Sequence, residues 1–333
     1  MRNLITDVAG LRVGHAVDEK LASGVTALVF DEPAVAAIDI RGGGTGTRET
    51  DLLEPVMTVD RVDAIALSGG SAFGLEAPAG VQAWLAAQGR GFAVGAARVP
   101  IVPGAILFDL LNGGDKTWDR YPPYRELGYA AAERASLDFA LGNAGAGFGA
   151  TVVNLKGGLG SASAQVDGFT IGAIAAVNAC GSVTIGDGPH FWSAAFEQGD
   201  EFGGRGLPPR VPPEALVPAL KGGPRQNTTL VAVATDAVLT KSQAKRLAVL
   251  AQTGFARAIY PVHTPLDGDV VFAVATGRKA LPDPVYGLSA LGAVAANTVA
   301  RAIARGVYEA KALPFADALP SWKDRFGKPK TAQ

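Results

Sequence analysis

Ser161-Ala162-Ser163-Ala164-Gln165-Val166, then Asp167-Gly168, then Phe169-Thr170-Ile171-Gly172-Ala173-Ile174-Ala175-Ala176-Val177-Asn178-Ala179 is the stretch that decides the fold class. Two β-type runs flank an Asp-Gly pair, and Asp-Gly supplies the two positive-φ positions of a tight hairpin turn. The runs therefore pair antiparallel. A purely doubly wound parallel sheet, whose strands are joined by helical crossovers, does not accommodate that turn. Upstream, the spacer Gly157-Gly158-Leu159-Gly160 separates this hairpin from a further run at Ala150 to Leu155. Nearer the start, Val25 to Phe30, Ala36 to Ile40 and Ala64 to Leu67 are short apolar runs, predicted as buried strands. Ser71 to Ala87 is predicted as a helix entered through Gly69-Gly70 and kinked at Pro78, and Ala130 to Phe139 as a second helix. Downstream, residues 186–226 carry Asp187-Gly188-Pro189, Pro208-Pro209, Pro212-Pro213 and Gly222-Gly223-Pro224, which mark a linker or surface loop. It stops at Asn227-Thr228-Thr229, where Thr229 to Thr235 begins a β-branched strand. Thr240-Lys241-Ser242-Gln243 reads as a capping box opening a helix. Val270 to Ala275 is another strand, Ala290 to Val307 a small-residue helix, and the polar tail after Pro314 is predicted to fray. No internal repeat is present. The whole reads as a layered α/β arrangement with antiparallel pairs.

A chain of 333 residues has two domain lengths, or one large α/β domain. With 48% hydrophobic and 18% charged residues it builds a large core, which excludes disorder for most of its length. Thirty Lys and Arg balance 31 Asp and Glu, and no basic block tracks a phosphate backbone, so nucleic acid is not an expected partner. One cysteine, Cys180, forms no internal disulfide, and three histidines do not make a Cys/His zinc site, so no metal is expected. The first residues lack the apolar core of a secretory signal, and no run approaches the roughly 18 uninterrupted apolar residues of a membrane span. The expectation is a cytoplasmic protein without a membrane partner. Glycine, 43 residues, clusters at 42–46, 69–70 and 142–160, which suits tight turns around a site or closely packed layers.

Familiar catalytic signatures are missing. Gly42 to Thr47 and Gly69 to Gly74 are glycine-rich, but neither is a phosphate-binding loop of the Gly-Lys-Ser/Thr type. The helix start after Gly69-Gly70, with Ser71, is instead a place to hold a substrate carboxylate or carbonyl oxygen. There is no G-x-S-x-G elbow, Cys180 lies in an apolar strand, and His15, His190 and His263 are scattered. One arrangement needs no histidine. If the Thr228 hydroxyl attacked the carbonyl of Asn227, an N→O acyl shift and hydrolysis would free an α-amine on the nucleophile's own residue. With a reference pKa of about 8, that amine is a usable base near neutral pH. The same three residues also read simply as a turn into a strand. They match a glycosylation acceptor too, which has no role without secretion.

At these residues the chain resembles the self-processing N-terminal-nucleophile aminopeptidases. These comprise L-aminopeptidase D-esterases, β-peptidyl aminopeptidases and the endo-type 6-aminohexanoate (nylon) oligomer hydrolase. The resemblance runs from Gly10-Leu11-Arg12-Val13-Gly14-His15 to the last helix. It is carried by Arg41 to Asp51, Leu67 to Leu75, Gly157 to Ser163, Asn227-Thr228-Thr229-Leu230 and Asp267-Gly268-Asp269. It implies a single four-layer αββα sandwich over 1–333, self-cleaved before Thr228 into associated fragments 1–227 and 228–333, with no cofactor. Thr228 would be the nucleophile and Asn178 the oxyanion donor. Asp267 and Asp269 correspond to the Asp-x-Asp of the nylon enzyme; alternation on a strand would set them on one face about 6.5 Å apart, to orient the Thr228 ammonium or bind a substrate amine. The family lysine aligns with Asn154, and Lys156, two residues later, is the catalytic candidate in its place. Phe108 replaces a tyrosine at a substrate-contact position.

The implied activity is hydrolysis of short peptides, amino amides or ω-amino oligomers with a free amine, by a homo-oligomer of four or more chains. Two alternatives stand beside it: an autoprocessed acyltransferase of the ornithine acetyltransferase type, and a nonenzymatic small-molecule or nucleotide binder built on the glycine loops.

Overall fold

The computed structural model describes residues 1–222 and 227–327. Its hairpin forms as the Asp-Gly spacer requires: β8 (Gly158–Val166) and β9 (Phe169–Asn178) pair antiparallel about Asp167 at φ 49° and Gly168 at φ 80°. β10 (Thr228–Ala237) continues antiparallel on β9. It then crosses through α3 (Lys241–Ala256) to pair parallel with β11 (Val270–Lys279), so the sheet is mixed. Thr240 caps α3 as expected, its side chain accepting from Gln243 N–H while Gln243 reaches back.

The N-terminal third differs more from expectation. The two runs expected as separate strands are one strand, β2 (Ser23–Ile40), with a register shift between Val29 and Ala34 around the exposed Asp31–Pro33. A strand not anticipated, β1 (Leu11–Asp18), forms a hairpin with β2. The remaining strands are β3 (Gly46–Arg48), β4 (Arg61–Ser68), β5 (Phe92–Val94), β6 (Ala97–Val99) and β7 (Gly104–Ile106). The order β3-β7-β4-β2-β11-β10-β9-β8, with β1 also on β2, makes β2 common to both halves of the sandwich.

Alternation on these strands sorts side chains into three cores. Val231, Val233 and Val271 pack under α3 and α4 (Tyr286–Tyr308), against Leu247, Ala251, Leu291 and Val299. Leu230, Ala232 and Phe272 face Leu28, Phe30, Ile65 and Leu67 between the sheets. Val25, Ala27, Ala64 and Ala66 meet α1 (Ala77–Ala87) and α2 (Tyr124–Glu133). Three cores separate four layers, α-β-β-α, and strands buried on both faces read as unbroken apolar runs.

Several boundaries move for local reasons. Pro78 sits in the first turn of α1, where its missing N–H costs nothing, because Ser71–Glu76 is a separate 3₁₀ turn; there is no kinked helix. α2 starts at Tyr124, after Pro122-Pro123, and is over by Glu133, so the helix expected at 130–139 is displaced; Ser136 instead bonds Val13. Ala150–Leu155 is not a strand but a loop closed by a Thr151–Lys156 bridge. The tail does not fray through residue 327: Ser321 caps α5 (Trp322–Phe326), and Trp322 is buried against Phe191. Residues 187–222 carry only two 3₁₀ turns, Trp192–Phe196 and Pro213–Leu216, while Gly223-Pro224 of the expected linker lies outside the described residues. α4 is long and apolar enough to span a bilayer by composition, but it is a core helix. Its buried Arg301 is answered by Glu201, at 2.5 and 2.9 Å.

α4 lies directly on β8, where a Cβ at Gly160 would come within 1.9 Å of the Ala302 carbonyl oxygen. Gly160→Ala should therefore lower stability by about 1–3 kcal/mol through overpacking, read as a lower urea midpoint at unchanged slope.

Candidate active site

The strand register assembles the site. Thr228, the first residue of β10, is paired with Asn178, the last of β9. On the other side of β10, the segment ahead of β11 clamps the same peptide. Asn227 N–H donates to Leu266 O at 2.9 Å, and Gly268 N–H donates to Asn227 O at 2.8 Å. The Thr228 hydroxyl donates to that same Asn227 carbonyl oxygen at 2.5 Å. Asn227 and Thr228 are fully buried. A Cβ on Gly268 would lie 2.5 Å from Thr228 Oγ1, so position 268 has no room for a side chain beside the hydroxyl.

Asn178 is held at both ends of its amide. Nδ2 donates to Phe108 O at 3.0 Å, while Oδ1 accepts from Thr151 N–H and from Lys221 Nζ, both at 3.0 Å. Lys221 Nζ also donates to Thr151 O at 2.8 Å. Beside this cluster opens a cavity of about 430 Å³ walled by Phe108, Asp109, Asn112, Thr151, Lys221 and Phe315.

The two aspartates precede β11 rather than lying on it, because Arg41 N–H bonds Asp269 O and Gly44 N–H bonds Asp267 O before the strand begins at Val270. Both carboxylates are buried and engaged. Asp267 accepts from Cys180 N–H at 3.0 Å and from Thr264 N–H and Oγ1 at 2.9 and 2.8 Å. Asp269 accepts from Thr229 N–H at 2.8 Å, and its other oxygen lies 2.9 Å from His263 Nδ1. Burial pushes the Asp269 carboxyl above the usual range, His263 pulls it back, and the Asp267 charge raises it further.

Lys156 is buried, donating to the carbonyls of Gly147, Ala150 and Gly157 at 3.2, 2.8 and 2.8 Å. Desolvation pushes its ammonium down to about 7. It supports the loop that carries Thr151 and makes no hydrogen bond to Asn178 or Thr228. Asn154 points elsewhere, to Asp187 at 2.9 Å.

The turn at Gly69, Gly70 and Ser71 does not offer open donors. Their N–H groups go to Gly24 O, Asp109 Oδ1 and Leu107 O at 2.9, 2.8 and 2.9 Å, so the expected anion-holding helix start is already occupied by protein. What the turn does is fix Asp109, which also accepts from Ser23 Oγ at 2.6 Å and whose carboxyl burial raises against the pull of Lys116. Phe108 contributes its carbonyl oxygen and a cavity wall. Two residues of the cluster escaped the sequence reading. Lys221 lies in an aperiodic Pro/Gly-rich stretch, with nothing to tie it to Asn178. His263 was read as one of three scattered histidines, and only its spacing from Asp269 hinted at a pair. Among the described residues no group of His, Cys, Asp and Glu could hold a metal ion.

Two halves of one folded sheet pack between helix layers, the arrangement of the N-terminal-nucleophile hydrolase fold, and a threonine hydroxyl at a strand head lies on the carbonyl oxygen of the residue before it. The same fold is seen in the L-aminopeptidase D-Ala-esterase/amidase of Ochrobactrum anthropi, with a TM-score of 0.70 and 20% identity over 97% of this chain and 92% of that one. A Burkholderia sp. beta-aminopeptidase aligns with a TM-score of 0.69 and 22% identity over 98% and 92%. The chain belongs to peptidase family S58, whose sequence profile it matches over residues 3–319. It is 42% identical to an uncharacterized aminopeptidase of Mycobacterium tuberculosis, over 97% of this chain and 98% of that protein. It is 29% identical to a 6-aminohexanoate-oligomer endohydrolase of Kocuria sp., over 83% and 76%.

Lys156 gives the site a pH signature. Its folded value of about 7 lies below the ordinary 10.5, so between those values the unfolded chain binds more protons and stability rises with pH. That contribution is lost as pH falls through about 7. Urea unfolding of wild type and Lys156→Met between these limits should show the wild-type slope exceeding the variant's, by at most about 1.4 kcal/mol per pH unit.

Proposed function

We propose that the chain cuts itself between Asn227 and Thr228, and that the freed Thr228 then hydrolyses amide bonds through an acyl-enzyme. The observation that carries this is the doubly held Asn227 carbonyl: Thr228 Oγ1 at 2.5 Å and Gly268 N–H at 2.8 Å from one oxygen. The hydroxyl oxygen adds to the carbonyl carbon while Gly268 N–H takes the developing negative charge. The C–N bond then breaks as the hydroxyl proton passes to the Thr228 nitrogen, which leaves as an amine, and an ester links Asn227 to Oγ1. Water hydrolyses the ester, leaving a carboxylate on Asn227 and a free amine and hydroxyl on Thr228. The fragments 1–227 and 228–333 stay together because β10 remains paired with β9 of the first fragment.

In turnover the α-amine, with a reference pKa of about 8, accepts the hydroxyl proton as Oγ1 attacks a substrate carbonyl. It returns that proton to the leaving amine, and water clears the acyl group. Asn178 Nδ2 carries a second N–H besides the one on Phe108 O, and that hydrogen is the proposed oxyanion donor. Asp267 and Asp269 brace the strand heads on either side through Cys180 and Thr229 N–H. The 430 Å³ cavity beside Phe108 takes the substrate. Its size, and the aminopeptidase and 6-aminohexanoate-oligomer endohydrolase relatives, support short peptides, amino amides and ω-amino oligomers as substrates.

Denaturing mass spectrometry of wild-type protein should give two fragments joining at 227/228 and Thr228→Ala a single chain; an intact, fully active wild type overturns the reading. Asn178→Ala should reduce kcat on an aminoacyl anilide by about a hundred- to a thousandfold, as loss of an oxyanion donor does. Comparing α-dipeptides, β-dipeptides and 6-aminohexanoate oligomers by kcat/KM then fixes the substrate class.

A further inference from the structure

We infer that Lys221 is a positioning residue for the reaction: its ammonium locks the Asn178 amide in the one orientation that presents N–H, and not C=O, to the reacting carbonyl. The inference rests on the reading of Thr228 and Asn178 given above and adds a residue that reading does not use.

An asparagine amide is nearly symmetric in shape but opposite in polarity at its two ends. Turned over by half a rotation, Asn178 would aim an oxygen at the oxyanion and repel it. The structure shows what prevents this. Oδ1 sits between two donors, Thr151 N–H and Lys221 Nζ, each at 3.0 Å, and a flipped Nδ2 would face both of them donor to donor. At the other end, Phe108 O takes one Nδ2 hydrogen at 3.0 Å and would meet an oxygen after a flip. Two of these three constraints are neutral backbone groups. The third is a charge, buried to 5% exposure and anchored a second time on Thr151 O at 2.8 Å. A charge-assisted bond is roughly twice as strong as a neutral one. A cation on the amide oxygen also polarises the group, making its N–H a better donor in a water-poor site.

Position matters as much as charge. Lys221 lies in the same aperiodic segment that runs to the scissile bond, and its own N–H is fixed on Cys180 O at 3.0 Å, two residues past Asn178. The ammonium therefore arrives from the first fragment's end and is tied down independently of Asn227. Self-cleavage does not draw on it, since the Asn227 oxygen is served by Gly268 N–H. Lys221 thus separates two steps that otherwise share a nucleophile: it leaves chain cutting alone and acts on substrate turnover.

The test uses Lys221→Met, which keeps the stem and removes the charge, and Lys221→Arg, which restores a cation. Wild type with two demonstrated fragments and measured turnover is the reference. Lys221→Met should still yield both fragments at the wild-type rate. Its kcat on an aminoacyl anilide should fall on the order of tenfold, less than the hundredfold or more for outright loss of an oxyanion donor. Lys221→Arg should recover most of kcat. In a double-mutant cycle, Lys221→Met should cost little more once Asn178 is alanine. A fragmented Lys221→Met with wild-type kcat, or losses that simply add in the cycle, overturns the inference. So does an uncut Lys221→Met that melts like wild type. If Lys221→Met melts lower, Lys221→Gln, with a neutral donor, replaces it under the same criteria. A wild type showing neither fragments nor turnover counts against the preceding proposal, whereas an active wild type matched by Lys221→Met counts against Lys221 alone.

Discussion

The hydrogen bond from Gly268 N–H to the Asn227 carbonyl is the constraint on which the site depends. It fixes one peptide plane between two neighbouring strands, so that the hydroxyl of the next residue has a single carbonyl to reach. An edge strand would not serve, because one flank would be open to water and the carbonyl free to turn. β10 has β9 on one side and the Asp267–Asp269 segment with β11 on the other, and both flanks contribute N–H groups in register. The buried carboxylates belong to the same frame. Each takes a backbone N–H from a strand end, Cys180 after β9 and Thr229 in β10, which supplies the hydrogen bonds that two buried acidic side chains require.

The four layers follow from how completely the central strands are buried. β9 and β10 are buried at every residue, so each strand presents apolar groups to the helices on one face and to the other sheet on its opposite face. A sandwich of this depth leaves little space for large side chains at the helix contacts, and alanine and glycine dominate α4 and β8 accordingly. The long β2 ties the halves by hydrogen bonds as well as by packing, since it pairs with β11 of one half and β4 of the other.

Much of this was legible in the sequence, and the exceptions are instructive. The Asp167-Gly168 turn and the Thr240 cap are local signals, and each formed where it was read, whereas two of the short runs merged into β2 and the run at Ala150–Leu155 became a loop. The resemblance placed Thr228, Asn178 and the two aspartates, and strand register brings them together. Signals failed where a neighbour distant in sequence decides. Gly69, Gly70 and Ser71 read as an open helix start, but Gly24, Asp109 and Leu107 take their N–H groups. Lys156 was chosen for its nearness to an expected motif, yet it spends its ammonium on three carbonyls of its own loop. Lys221, with no periodicity around it, reaches Asn178 across 43 residues of chain. Lone side chains on irregular backbone carry no pattern from which a partner can be inferred.

The interleaving of strands also sets a clock on biosynthesis. β9 is made first and β10 some fifty residues later, but the N–H that steadies the Asn227 carbonyl belongs to Gly268, which a ribosome adds only after α3 is complete. A nascent chain ending anywhere before that glycine carries the threonine without the N–H that holds the Asn227 carbonyl. Under the proposed self-cleavage, the order of translation itself keeps the protein from severing an unfinished copy.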